Sequence, residues 1–171
     1  TKEVLEDPKR LKMIARHIID TYPTKTKHGE FTAMFCVGSV EVLTQYYELF
    51  KQVQAEKQAE DEAQGKIFKP LTIATIFSYA ANEAVETLDG LLDEESGDIP
   101  TQINQSRRDK LDSYIADYNT TFGTNYNSSD SYYAYYRDIA TRVRNKQIDI
   151  LMVVNMFLTG FDSPSLNTMY V

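Results

Sequence analysis

The chain has 171 residues, 42% of them hydrophobic and 25% charged, with a net charge of −7. These values fit one globular domain that buries roughly 70% of its unfolded surface. The acidic balance excludes a self-sufficient nucleic-acid binder, because Lys and Arg supply most non-specific affinity for phosphate. A single Cys36 excludes an internal disulfide or a cysteine metal framework, and no stretch nears the roughly 20 apolar residues that span a bilayer.

A reducing cytosol suits such a chain. It opens without Met and stops at Val171 inside an apolar run, so it reads as a piece of a larger protein. Asp7-Pro8 predicts a helix start, a capping carboxylate followed by Pro at the first helical position. Leu11, Ile14, Ala15, Ile18 and Ile19 then mark one apolar face, and Pro23 is expected to end it. Phe31 to Val37 is compact and apolar, closed by Gly38-Ser39, and predicts the first strand. Val40, Leu43, Tyr47 and Phe50 follow at helical spacing, with Ser39 as N-cap. Charge and Gln dominate from Lys51 to Lys69, the pattern of a solvated helix extension closing near Gly65.

Leu71 to Phe77, rich in β-branched residues, predicts the second strand. From Lys69 to Arg107 no basic residue intervenes, while Glu83, Glu86, Asp89, Asp93, Glu94, Glu95 and Asp98 are acidic. That segment is expected to be a loop facing solvent or protein. Ser106-Arg107-Arg108-Asp109 resembles a capping box, and Leu111, Tyr114, Ile115, Tyr118 and Phe122 form the stripe of the helix it would open. Gly123 stops that helix. Asp130 is read as the cap of another, facing inward through Tyr132, Tyr136, Ile139, Ala140 and Val143. The helical spacing of Tyr114, Tyr118, Tyr132, Tyr133, Tyr135 and Tyr136 favours packing between helices over a stacking platform for single strands.

The third strand belongs to the most telling block, from Ile148 through Leu158-Thr159-Gly160-Phe161-Asp162-Ser163-Pro164 to a strand-like run at Thr168–Val171. Alternation of helices and strands implies an α/β three-layer fold with a mainly parallel sheet and helices on both faces. Ligands of such sheets bind at the carboxyl ends of the strands, which places Thr159, Gly160 and Asp162 at the functional edge. Gly160 lets a phosphate or ribose approach the backbone closely. Thr159 offers a hydroxyl and an N–H to phosphate, whereas the Asp162 carboxylate accepts only and suits sugar hydroxyls. Gly-x-Asp by itself is also an ordinary turn.

The whole block resembles motif V of superfamily 2 helicases, in the form found in the motor (R) subunit of type I restriction endonucleases. Thr32–Ser39 with Tyr46-Tyr47-Glu48-Leu49-Phe50 is similar to motif IV of those subunits, and Ala74–Glu83 to their next strand and loop. Asp117-Tyr118-Asn119, Phe122–Asn125, Tyr132-Tyr133 and Arg137-Asp138-Ile139 resemble the family's helical insertion. The resemblance implies a leading helix and linker over residues 1–30, then the second RecA-like motor domain over 31–171. That domain would carry an acidic and helical insertion at about 82–146. It also implies DNA contact through Ser39, Thr159 and Gly160, and an ATP contact through Gly160 and Asp162. For Ser39 the plain alternative is a helix cap and nothing more, and for Ser78 capping is the favoured role.

No phosphate-loop motif occurs in the chain, and the motif that follows motif V in the family would lie beyond Val171. His17 and His28 are too few and too far apart for a metal site. The fragment alone is therefore expected to carry no catalytic residue, no metal and no ATPase activity. In the full-length subunit the resemblance implies ATP and Mg2+, double-stranded DNA, and the first RecA-like domain of the same chain. Methylation and specificity subunits would be further partners in a cytoplasmic, DNA-cleaving complex without a membrane. The competing class is a non-enzymatic α/β regulatory or protein-interaction module, which shares the sheet signature and suits the acidic balance.

Overall fold

The computed structural model describes residues 7–77, 101–154 and 163–171. Its elements in chain order are α1 (Pro8–Lys25), β1 (Thr32–Val37), α2 (Val40–Ala63), β2 (Ile73–Ile76), α3 (Thr101–Phe122), α4 (Tyr132–Arg144), β3 (Ile150–Val154) and β4 (Leu166–Tyr170). The four strands lie in the order β2-β3-β1-β4, and every neighbouring pair is parallel. Helices cover both faces, giving the three-layer α/β arrangement of a RecA-like architecture. None of the described helices is long and apolar enough to cross a membrane.

The two central strands are apolar apart from Thr32, as burial on both faces requires. All six residues of β1 are buried, and so are four of the five in β3. The outer strand β4 alternates between half-buried and exposed positions, as an edge strand does.

Asp149 ties the amino end of the sheet together. One carboxylate oxygen accepts from the Tyr22 hydroxyl of α1 at 3.1 Å, and the other from the Thr72 N–H before β2 at 2.7 Å. Its own N–H donates to the Thr72 carbonyl at 2.9 Å, and its carbonyl accepts from Ala33 of β1 at 2.9 Å. One residue thus fixes one helix and three strands in register.

Helices α1 and α2 run in step across one another. Leu11, Ala15, Ile18 and Ile19 meet the core beneath Leu43, Phe50 and Val53. The solvent side is laced by Lys12–Glu56 at 2.7 Å, Arg16–Glu60 at 2.6 Å and Lys57–Asp20. The charged extension of α2 is therefore helical to Ala63, as its composition predicts, and it has a partner.

Three sequence expectations shift. α1 passes through Pro23 to Lys25. Pro removes one donor, and in the last turn that loss is small, since Thr26 still donates to Tyr22. The Ser106–Asp109 box falls inside α3, which begins at Thr101. Asp130 does not cap α4. Ser131 holds that position, and Asn127 Oδ1 instead gathers the N–H groups of Ser129 and Asp130.

Of the tyrosines read as packing between helices, Tyr133 is exposed and Tyr136 half-buried, and the others are core. Tyr114, Tyr118 and Tyr135 are all buried, and the Tyr118 and Tyr135 rings meet edge-on at 5.0 Å. Tyr135 rather than Tyr136 is the fully buried tyrosine of α4. Its hydroxyl donates to the Thr75 carbonyl at 2.6 Å, and that of Tyr132 to the Phe77 carbonyl at 3.0 Å. The first carbonyl belongs to β2 and the second follows it directly; among the described residues no strand lies beyond them, and α4 covers them with phenol groups. Burial keeps the Tyr135 hydroxyl protonated far above its ordinary range, as a permanent donor requires.

Replacement of Asp149 by Ala removes two bonds to a charged acceptor, each worth about 1.5–3 kcal/mol. Urea unfolding of Asp149→Ala is expected to show a loss of about 3 kcal/mol with an unchanged m-value. A loss below about 0.5 kcal/mol would refute the clamp.

Candidate functional site

The register of the central strands defines the carboxyl edge. Val37, the last residue of β1, pairs with Val154, the last residue of β3. The Gly38-Ser39 turn and the chain leaving β3 therefore start from neighbouring points. Ser39 holds extended backbone at φ −155° and ψ 162°, and its Oγ accepts from the Val42 N–H at 3.2 Å. It is the N-cap of α2, as its position predicts. The hydroxyl proton is not used in that bond and is turned to the Glu41 carboxylate, so Ser39 caps the helix through its oxygen and donates to Glu41.

A cleft of about 740 Å³ opens at this edge, bounded by Phe35–Ser39 of the strand and turn, by Arg10 and Ile14 of α1, and by Glu41 and Tyr46 of α2. The first N–H groups of a helix lack intrahelical partners and favour anions. A helix start, a hydroxyl and a guanidinium thus border one cleft together with the Glu41 carboxylate. Arg107 of α3 holds that carboxylate at 2.8 Å. Burial works to raise the Glu41 pKa, but that bond and its backbone contacts outweigh it and keep the carboxyl below its usual range. Cys36 also borders the cleft. Burial pushes its thiol pKa up, so it is a neutral core side chain and no nucleophile.

Of the residues singled out in the sequence, Ser39 is at this edge. Thr159, Gly160, Asp162 and Ser78 lie outside the described residues, as does the acidic segment up to Pro100. The described chain resumes at Ser163, whose hydroxyl is 2.8 Å from that of Ser165, and Ser165 in turn donates to the Val143 carbonyl at 2.8 Å. Arg10 and Arg107 were not visible as site residues. One precedes the motif by a whole helix and the other lies on α3, and only the packing of those helices beside α2 reveals them.

The other motif residues prove structural. Asp117 Oδ2 accepts from Tyr47 at 2.7 Å and Lys51 at 2.6 Å, joining α2 to α3. Asn119 closes the turn after Gly123 by accepting from Tyr126 N–H at 2.9 Å and Thr124 Oγ1 at 2.8 Å. Asp138 takes the Tyr118 hydroxyl at 2.5 Å and Arg142 Nε at 2.8 Å.

Parallel strands with helices on both faces, and a turn, a helix start and a cleft at the carboxyl ends of β1 and β3, define an α/β domain of RecA-like architecture. Residues 29–171 match the family of type I restriction enzyme subunit R domain 3, and the chain belongs to that family. It is 38% identical over 175 residues to the endonuclease subunit of type I restriction enzyme SauCOLORF180P of Staphylococcus aureus strain COL. It is 39% identical over 174 residues to the endonuclease subunit of type I restriction enzyme SsaAORF53P of Staphylococcus saprophyticus. Both comparisons cover all of this chain and 16% of the relative, so the chain spans about a sixth of their length.

Burial tends to raise the Asp117 pKa, but the bonds from Lys51 and Tyr47 prevail and hold it below the usual carboxylate range. A depressed carboxyl contributes stability that is present above its unfolded pKa and lost as pH falls through the folded one. Both partners are about half exposed, so the Lys51–Asp117 pair is worth less than about 1 kcal/mol. Lys51→Met is expected to lower the urea midpoint at pH 6, with the difference from wild type vanishing near pH 2. A difference independent of pH would leave packing of the lysine stem as its cause.

Proposed function

We infer that this chain is the second RecA-like motor domain of a type I restriction subunit R, one jaw of an ATP-dependent translocase on double-stranded DNA. The observation that carries the reading is the pairing of Val37 with Val154, which starts the two resembling motifs from adjacent points on one edge of a parallel sheet. A third domain of subunit R is also where this jaw would fall if a nuclease domain and a first motor domain precede it. On this reading Ser39, Thr159 and the Gly160 backbone hold strand phosphates, and Asp162 with Gly160 faces the nucleotide ribose. Such contacts position the strand without reading its sequence, which leaves target recognition to the specificity subunit.

ATP and Mg2+ belong to the full-length motor, between this domain and the first. The chain carries no phosphate loop, and among the described residues no cluster of three or more His, Cys, Asp or Glu side chains could hold a metal ion. On this reading Gly160 and Asp162 contribute a ribose contact to a nucleotide bound mainly by the first domain. Methylation and specificity subunits would complete the DNA-cleaving assembly.

Three substitutions in the full-length subunit separate the roles. Asp162→Asn keeps shape but removes a charge-assisted acceptor worth about 1.5–3 kcal/mol, so ATP-coupled translocation should fall roughly ten- to a hundredfold. Its nucleotide-free DNA binding should be unchanged. Thr159→Val should weaken DNA-stimulated ATPase at low DNA and recover at saturation. Ser39→Asp retains the cap but puts a carboxylate where a phosphate would sit, so melting should hold while DNA affinity drops. Near-wild-type translocation and ATPase in all three, at unchanged melting temperatures, would replace the motor reading with that of an interaction module.

A further inference from the structure

The helices of this domain end on two different chemistries. α2 and α3 close at Gly65 and Gly123, with φ of 68° and 67°, using the residue without a Cβ that left-handed backbone favours. α1 and α4 are followed instead by Lys27 at φ 50° and Lys146 at φ 60°. The hydrogen bonds are those of a helix C-terminal motif, His28 N–H to the Pro23 carbonyl at 2.6 Å and Gln147 N–H to the Arg142 carbonyl at 2.8 Å. His28 extends the left-handed run at φ 60°. Among the described residues these are the only non-glycine positions with positive φ, and all lie at the amino edge of the sheet. Such backbone costs a residue bearing a Cβ on the order of 1 kcal/mol. What is retained there is the side chain.

Lys27 Nζ lies 5.3 Å and Lys146 Nζ 5.9 Å from the centroid of the Phe31 ring. Two ammonium groups distant in sequence thus converge on one half-buried ring. Among the described residues no ion pair joins either lysine to a carboxylate, as is also true of Lys9, Lys25, Lys66, Lys69 and Lys110; Lys27 and Lys146 differ from those in the left-handed backbone and in the ring they share. The Asp149 carboxylate, just beyond Lys146 in the chain, is occupied by Tyr22 and Thr72. Completion of the helix dipoles needs only Lys25 and Arg144, which sit in ordinary helical backbone. It does not call for lysine one step further on, where glycine is more comfortable.

We propose that Lys27, Lys146 and Phe31 form a second contact for DNA backbone phosphates, on the edge of the sheet opposite Ser39. The identity of the polyanion rests on the motor reading above, while the surface itself rests on the strained, unpaired lysines. On a chain of net charge −7, cations without carboxylate partners are where a phosphate backbone is attracted. The two ammonium groups can be no farther apart than their two distances to the ring combined. That is the reach of a few phosphates on one strand, which repeat every ~3.4 Å along the axis. The ring between them offers deoxyribose an apolar surface. A contact of this kind binds without sequence preference and keeps the duplex against the domain while the Ser39 edge regrips.

The test is the salt dependence of duplex binding by the full-length subunit, comparing wild type with Lys27→Gly/Lys146→Gly. Glycine suits the left-handed backbone, so the melting temperature should hold or rise. Each lost phosphate contact should reduce the slope of log K against log salt by about 0.9, so the double variant should be shallower by roughly 1.8. A wild-type slope with a lowered melting temperature would assign the lysines to the helix ends and overturn the proposal. A wild-type slope with unchanged melting would overturn it in favour of an acidic protein partner. Thr159→Val in the same preparations reports on the motor separately. A reduced slope in the lysine variant beside normal ATPase in Thr159→Val keeps the surface and removes the motif V reading, and a wild-type subunit that does not bind duplex removes both.

Discussion

The sheet depends on the carboxylate of Asp149. A parallel sheet has no hairpins to set its register, so each pair of neighbours must be fixed by something besides a turn. Asp149 does this at the amino end, where its main chain bonds Thr72 and Ala33 and its side chain bonds Thr72 and Tyr22. The alignment of Val37 with Val154 at the other end follows from that start, since the strands between are regular. The site therefore inherits its geometry from a residue on the opposite edge of the sheet.

The edge strand β2 is secured by different chemistry. A sheet edge presents unpaired carbonyls that invite another strand. Here Tyr132 and Tyr135 donate to two of them, and their rings join a buried aromatic layer with Tyr118 and Tyr126. The segment from α3 to α4 is thus part of the core. Its acidic residues Asp117 and Asp138 each hold a tyrosine hydroxyl and a cation, which keeps the layer in place from the solvent side.

The two edges of the sheet differ in kind. The carboxyl edge has a cleft, a helix start and an arginine, while its neighbouring Glu41 is neutralised by Arg107. The amino edge has the Asp149 clamp, the left-handed lysines and Phe31. An acidic domain would meet a polyanion through local concentrations of positive charge. The ion pairs between α1 and α2 occupy Lys12, Arg16 and Lys57.

Local pattern was enough for the strands and most helices. Apolar continuity marked β1 and β3, helical spacing marked α1 and α2, and Ser39 declared itself a cap by its place between a strand and a helix. The family was legible too, because its motifs are contiguous strings. Capping was misread at Asp130 and at Ser106–Asp109, where Asn127 and the upstream start of α3 prevailed over a plausible local signal. Pro23 stayed inside α1 because one missing donor in a last turn is cheap. What only the tertiary structure decided is what depends on two distant segments meeting. Asp149 with Tyr22, Arg10 beside Ser39, and Lys27 with Lys146 over one ring are separated by helices and strands in the chain. Sequence periodicity reports which face of an element is apolar, but it carries no information about which charged groups from separate elements that face brings together.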